Sequence, residues 1–244
     1  MKKILAFTLL SFTSLLAKQY MAQIKPYEIY EIKSQTSGVA KFVNKDLESK
    51  YINKGDLLIK IDSKDEEIEL AKQKSSYDIQ KEIVKIKEQN YKAKNRIKQL
   101  SLYDKNNEKL SFLESKKELS NTLQTIRKLE NDLDKKTFDV QNRYVDTVFV
   151  EKDEYINIGD KLFNAYDISK LKITLFLSKN EIDSLDTKAL YINNKKSDFT
   201  VYKVHKIKDE NKISRYKVVF TKSNENKNNY FFDKVVKAEL KWEK

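Results

Sequence analysis

Tyr51-Ile52-Asn53-Lys54-Gly55-Asp56-Leu57-Leu58 recurs about a hundred residues later as Tyr155-Ile156-Asn157-Ile158-Gly159-Asp160-Lys161-Leu162, with six of eight positions identical. The chain has only three glycines in 244 residues, and two of them are spent here. Each copy follows a β-like run (Val39 to Val43, Val145 to Val150) and precedes another (Leu57 to Ile61, Leu162 to Tyr166). Both therefore read as strand, connection, Gly-Asp turn, strand. Glycine suits such a turn because it reaches φ > 0 without a Cβ clash, and aspartate bonds to nearby backbone. A β-carbon at Gly55 or Gly159 is expected to cost about 1 kcal/mol if φ there is positive.

Between the copies, residues 65–137 contain neither Gly nor Pro. A three-four spacing runs through Ser76, Ile79, Ile83, Ile86, Asn90, Ala93, Ile97 and Leu100. A second runs through Phe112, Lys116, Leu119, Leu123, Ile126, Glu130 and Leu133. Such alternation keeps one seam on one side of a slightly supercoiled helix. Polar Tyr103-Asp104-Lys105-Asn106-Asn107 is placed as the turn between the arms. The pattern predicts an antiparallel helical hairpin whose arms of about 35 residues would each span roughly 50 Å. An antiparallel pair returns the chain to its origin, so the two half-repeats can close over one interior that neither could fill alone. Residues 171–244 are β-like. Phe199 to Ile207 and Ile213 to Phe220 form a candidate β-hairpin around Lys208–Lys212, Tyr230 to Leu240 supplies a further strand, and His205 reads as a strand residue.

Composition narrows the chemistry. There is no Cys, which removes disulfide scaffolds, thiolate nucleophiles and Cys-based metal sites. A single His and three glycines cannot furnish a His-rich metal centre, a P-loop or a dinucleotide fingerprint. The formal charge is +12, but the signs are interleaved: residues 65–137 hold 17 basic and 14 acidic side chains. That describes a solvated surface rather than the contiguous basic stripe of a nucleic-acid binder. No cofactor is expected. An enzyme working through Asp and Glu alone needs two carboxylates across a pocket, and the acidic residues fall mostly on helices and turns. A carrier domain with a modifiable lysine at its hairpin tip is disfavoured too, because the insert stands where that tip would be.

At the N-terminus, Lys2 and Lys3 precede an uncharged stretch, Ile4 to Ala17, that Lys18 ends. About 14 helical residues span roughly 21 Å, short of a bilayer core of about 30 Å. Residues 1–17 are read as an export signal, with retention as an anchor the competing reading.

This organisation resembles the periplasmic adaptor subunits, or membrane fusion proteins (HlyD-like), of tripartite efflux and secretion systems. The resemblance rests on Ser37-Gly38-Val39 opening the first half-motif and Lys54 to Asp62 closing it. It continues through Val145 to Val150, Gly159-Asp160-Lys161-Leu162-Phe163, Asp167 to Leu171, and Leu175 to Leu185. It covers about residues 25–244. Arg143 and Asp153 stand where that family usually has glycines, and the sequence to Lys244 leaves little for the membrane-proximal domain of many relatives.

The resemblance implies a mixed α and β, elongated fold. A split lipoyl-like β-sandwich (25–64 plus 138–170, with turn glycines Gly38, Gly55 and Gly159) would carry an inserted coiled-coil hairpin (65–137). A small β-barrel-like domain (171–244) would follow. It implies a non-enzymatic periplasmic protein, ring-forming, bridging an inner-membrane transporter and an outer-membrane TolC-like channel, with inner-membrane association left open. In the channel-docking branch an Arg, a Leu and a Ser mark the hairpin tip. Arg96 and Leu100 keep the first spacing, and Ser111 comes four residues late. The competing reading is a free-standing periplasmic coiled-coil scaffold with no transporter partner.

Overall fold

The computed structural model describes residues 18–210, 212–225 and 232–242; the export signal at 1–17 lies outside them. In chain order the elements are β1 (Gln19–Lys33), β2 (Gly38–Val43), β3 (Lys50–Ile52), β4 (Asp56–Ile61), α1 (Lys64–Arg96), α2 (Leu102–Asp134), β5 (Thr137–Val140), β6 (Arg143–Val148), β7 (Tyr155–Ile156), β8 (Lys161–Leu177), α3 (Lys179–Asp183), β9 (Lys188–Ile192), β10 (Lys195–Lys196), β11 (Thr200–Asp209), β12 (Lys212–Ser223) and β13 (Lys234–Trp242). The fold is thus mixed α and β, and the hairpin arms are 33 residues each, slightly shorter than the spacing predicts. Two compact units divide the chain: residues 30–165, and residues 18–29 with 166–242.

In the unit of residues 30–165, strands from the two sides of the helical insert pair with one another. β4 pairs antiparallel with β5, β3 with β6 and β2 with β7. One interior receives Ala40, Ile52, Leu58, Ile59 and Ile61 from before the insert, and Val140, Val145, Val148, Ile156, Leu162 and Phe163 from after it. Leu58, Ile61, Val145 and Leu162 are fully buried. At about 25 cal/mol per Å² of apolar surface, each such side chain contributes roughly 1.5–3 kcal/mol. That interior exists only when both halves are present.

The two repeat copies are not conformationally equivalent. Gly159 has φ +90°, and its N–H donates to the Ser34 carbonyl at 2.9 Å. Asp160 closes the loop by accepting from the Asn157 N–H at 2.7 Å. Gly55 is not in the positive-φ region, and a β-carbon there would meet nothing within 4 Å. The expectation of φ > 0 at both positions is therefore corrected. In the first copy Asp56 already begins a strand, paired with Val140, so no left-handed residue is needed. Gly38 is the demanding position, with φ +150° and a virtual β-carbon 2.7 Å from Ile61 Cγ2.

Asp153, where a glycine is usual in the resembling family, sits at φ +65°. Its N–H donates to the Ala40 carbonyl at 2.7 Å, so the loop keeps its left-handed turn without glycine. Relief of a side chain from that region is worth about 0.5–1 kcal/mol, less the entropy that glycine adds to the unfolded chain. Asp153→Gly is expected to raise the urea midpoint slightly with an unchanged slope. A lower midpoint would show that the aspartate side chain stabilises the loop.

In the unit of residues 18–29 and 166–242, sheet order runs β10-β9-β13-β1-β8-β12-β11. Alternation decides what is buried: Tyr20, Ala22 and Ile24 of β1 face inward with Ile173, Leu175 and Leu177 of β8, while Met21, Gln23 and Lys25 face outward. Ser178 and Glu181 form a capping box on α3. Glu181 also accepts from the Tyr20 hydroxyl. Burial opposes its ionisation, but the Ser178 hydroxyl and N–H, Tyr20 and Lys18 outweigh that and hold its carboxyl at about 2. His205 lies within β11. Tyr230, the expected start of the last strand, lies outside the described residues, and β13 begins at Lys234.

Candidate functional site

The hairpin is anchored at its root and exposed at its tip. At the root, the Ile61 N–H donates to the Lys136 carbonyl at 2.8 Å, joining the residues on either side of the insert. The buried Lys136 ammonium donates to the Asp62 carbonyl at 2.7 Å and pairs with Glu66. Ser63 donates to Glu67 at 2.7 Å, and Lys60 pairs with the same carboxylate at 3.0 Å. These two donors hold the Glu67 carboxyl below its usual range, the Ser63 hydroxyl being the larger cause.

Along the arms, register is set by Lys74–Glu130 at 2.8 Å, by Tyr91 stacked on Phe112 at 6.1 Å between ring centroids, and by Lys94–Glu108. On α2 the inner line includes Phe112, Ser115, Leu119, Thr122, Ile126, Leu129 and Leu133, with Ser115, Thr122 and Ile126 buried. Phe112, Leu119, Ile126 and Leu133 keep their expected places. Lys116 of the expected seam is exposed and gives way to Ser115, while Leu123 and Glu130 are half-buried beside Thr122 and Leu129.

On α1 the correction is larger. The half-buried line is Ser76, Tyr77, Gln80, Val84, Lys87 and Tyr91, so Ser76 keeps its expected place while Asn90 and Ala93 are exposed. Ile79, Ile83 and Ile86 point outward, Ile79 being 61% and Ile86 55% exposed. The apolar spacing read from the sequence is a real stripe, but it faces away from α2. Small Ser115 and Thr122 on α2 leave room for broad side chains, and the aromatic stack of Tyr91 on Phe112 fixes which face of α1 turns inward. Periodicity alone cannot distinguish two apolar lines offset by one residue.

The tip is also displaced from its expected position. α1 ends at Arg96, and Ile97 is extended at φ −77°, ψ 114°. α2 starts at Leu102, capped by Ser101, whose hydroxyl accepts from the Asp104 N–H at 3.1 Å and donates to the Asp104 carboxylate at 2.6 Å. Tyr103 to Asn107 are therefore helical, and the turn is 97–101. The missed signal is Ser101-Leu102-Tyr103-Asp104, a Ser-x-x-acid capping pattern at a helix start. Arg96 is exposed at the last residue of α1, and Leu100 is half-buried in the turn. Ser111 is half-buried on α2 beside the level of Tyr91, about five residues or roughly 7 Å below Arg96. The structure does not bring Arg96 and Ser111 to one level.

Sequence reasoning passed over the most exposed apolar residues of the tip, Leu102 (75%) and Tyr103 (74%), which stand with Ile97 beside Arg96 and Lys98. Exposed apolar side chains close in sequence to an arginine and a lysine at a helical turn have the chemistry of a protein-docking surface, with aromatic and arginine anchors. Gly38, Gly55 and Gly159 lie in the sandwich strands and turns. Among the described residues no group of three or more His, Asp or Glu side chains is placed to hold a metal ion, and no helix is long and apolar enough to cross a membrane.

No protein-family model matches the sequence, and no curated protein matches it. Solved structures do. A chimeric MacA–MexA protein containing the α-hairpin domain of Pseudomonas aeruginosa MexA superposes with a TM-score of 0.66 at 16% identity, over 93% of this chain and 83% of its own. The membrane fusion protein Spr0693 of Streptococcus pneumoniae R6 gives 0.66 at 11% identity, over 93% of this chain and 100% of its own. MacA from Actinobacillus actinomycetemcomitans gives 0.56 at 16% identity, over 93% and 79%. The fold is that of membrane fusion proteins, and the resemblance read from the sequence holds at the level of fold.

Proposed function

We propose that the protein is a non-enzymatic adaptor of the membrane fusion protein (HlyD-like) family, exported by residues 1–17 to the periplasm. It would assemble side by side with copies of itself between an inner-membrane transporter and an outer-membrane channel of the TolC type. Residues 30–165 would serve as the lipoyl-like body and its hairpin, and the remaining strands as the barrel-like unit. The carrying observation is the hairpin itself: its root is clamped by Lys136, while its tip cluster and the Ile79–Ile86 stripe are left open to solvent. Surface of this kind calls for protein partners on two sides, the end and the flank. A free-standing scaffold would explain the rigid arms but not the apolar end.

Deleting residues 76–126 tests the reading. The pairing of Lys74 with Glu130 means that residues 75 and 127 nearly face one another, so a short Gly/Ser linker in place of the deleted segment spans the roughly 8–10 Å between the helix axes. The expected result is unchanged strand content by circular dichroism and loss of channel recovery in a pull-down. Recovery of the channel at full yield would remove the docking role from the hairpin.

A further inference from the structure

The outward face of the sheet formed by β1, β8 and β12 carries Lys25, Lys172, Lys212, Arg215 and Lys217 around a groove of about 630 Å³. Among the described residues none of the five takes part in an ion pair. Their only engagements are with neutral groups: Lys172 donates to the Tyr27 carbonyl at 2.6 Å, Arg215 to the Phe176 carbonyl at 3.4 Å, and Lys212 lies over the Phe176 ring. Register explains the gathering. Lys217 pairs across from Phe176 and Thr221 from Lys172, so alternate residues of neighbouring strands share this face. Burial lowers the Lys172 ammonium, the nearby Glu28 raises it, and Lys217 and Lys25 lower it further. Like charges thus crowd around Lys172.

Some lysines elsewhere on the protein are neutralised. On the hairpin, Lys74, Lys92 and Lys94 each meet a carboxylate. Here five cations gather around one groove. Its rim also exposes apolar Met21 (69%) and Val235 (53%), a pairing of cations with apolar side chains that suits the head-group boundary of a bilayer. An acidic protein surface would match the charge but not the open apolar rim. Sequence distance agrees: only Lys18, Gln19 and Tyr20 separate the apolar segment 4–17 from Met21. Three residues reach at most about 10 Å, so while that segment is attached and in a membrane this face begins at the bilayer surface.

We infer that the groove lined by Lys25, Lys172, Lys212, Arg215 and Lys217, with Met21 and Val235 at its rim, is a binding site for the phosphate-bearing head groups of anionic membrane lipids.

Sedimentation of the purified full-length chain with lipid vesicles tests this. Binding to phosphatidylcholine vesicles containing phosphatidylglycerol should exceed binding to phosphatidylcholine alone, and should weaken as salt is raised. Each cation at a membrane surface is worth about fivefold in affinity. The double variant Lys25→Glu/Lys217→Glu should therefore lose at least about tenfold. The hairpin variant Lys85→Glu/Lys117→Glu, with the same change in net charge, should stay within about twofold of the parent. Equal loss in both variants would reduce the effect to net charge and overturn the site. So would equal binding to neutral and anionic vesicles. Saturable binding of inorganic phosphate or of an acidic protein, without preference for anionic vesicles, would likewise overturn the lipid assignment.

Discussion

Gly38→Ala is expected to lower the melting temperature of the unit of residues 30–165 by about 10 °C, because strain and overlap together cost about 3 kcal/mol in a unit of this size. Two independent terms add at this position. The backbone sits at φ +150°, a region that L side chains rarely adopt, and the added carbon would approach Ile61 Cγ2 to 2.7 Å. Ile61 cannot retreat, since it is fully buried among Leu58, Ile59, Val145 and their neighbours, and close-packed interiors have no slack for an extra methyl group. The companions calibrate the result. Gly159→Ala meets nothing within 4 Å but keeps the φ penalty at +90°, so about 1 kcal/mol is expected. Gly55→Ala, with neither problem, should leave the melt nearly unchanged. Thermal denaturation followed by circular dichroism ranks the three, and a Gly38→Ala protein melting with the parent would mean that β2 does not approach Ile61 as described.

Replacing Ile79, Ile83 and Ile86 together by glutamate is expected to abolish self-association while leaving the monomer's melt where it is. These side chains are 61%, 41% and 55% exposed, so their replacement leaves little cavity within the chain. Burying each against a neighbouring copy would contribute roughly 1.5–3 kcal/mol. Losing all three should weaken association by well over ~100-fold. Light scattering across a concentration series measures the first effect, and a thermal melt the second. A substantial drop in melting temperature would show that the stripe is the inner seam after all, and the lateral contact would have to be sought on α2, where Leu110 and Leu113 are exposed.

The outline of the fold was legible because it rests on signals that survive in a single sequence. The duplicated Gly-Asp segments, the Gly- and Pro-free insert and the alternation in the last third each follow from backbone geometry. The finer errors have physical causes. The inner face of α1 is decided by what α2 offers, namely small Ser115 and Thr122 and the ring of Phe112, which no pattern on α1 itself can reveal. At the tip, the polarity of Tyr103–Asn107 points to a turn, but the Ser101 to Asp104 capping pattern starts the helix earlier. With the turn moved to 97–101, Leu102 and Tyr103 become the exposed end. The basic face was invisible for another reason: Lys25, Lys172 and Lys217 are distant in sequence and meet only through strand register.

The hydrogen bond from Ile61 to the Lys136 carbonyl makes the insert a closed excursion, leaving and re-entering the sandwich at adjacent strands. Nothing in the sandwich then depends on how far the excursion travels. Removing or adding seven residues in each arm would preserve the facing of the two helices while changing their span by about 10 Å. Span could therefore drift in evolution without renegotiating the body that carries it.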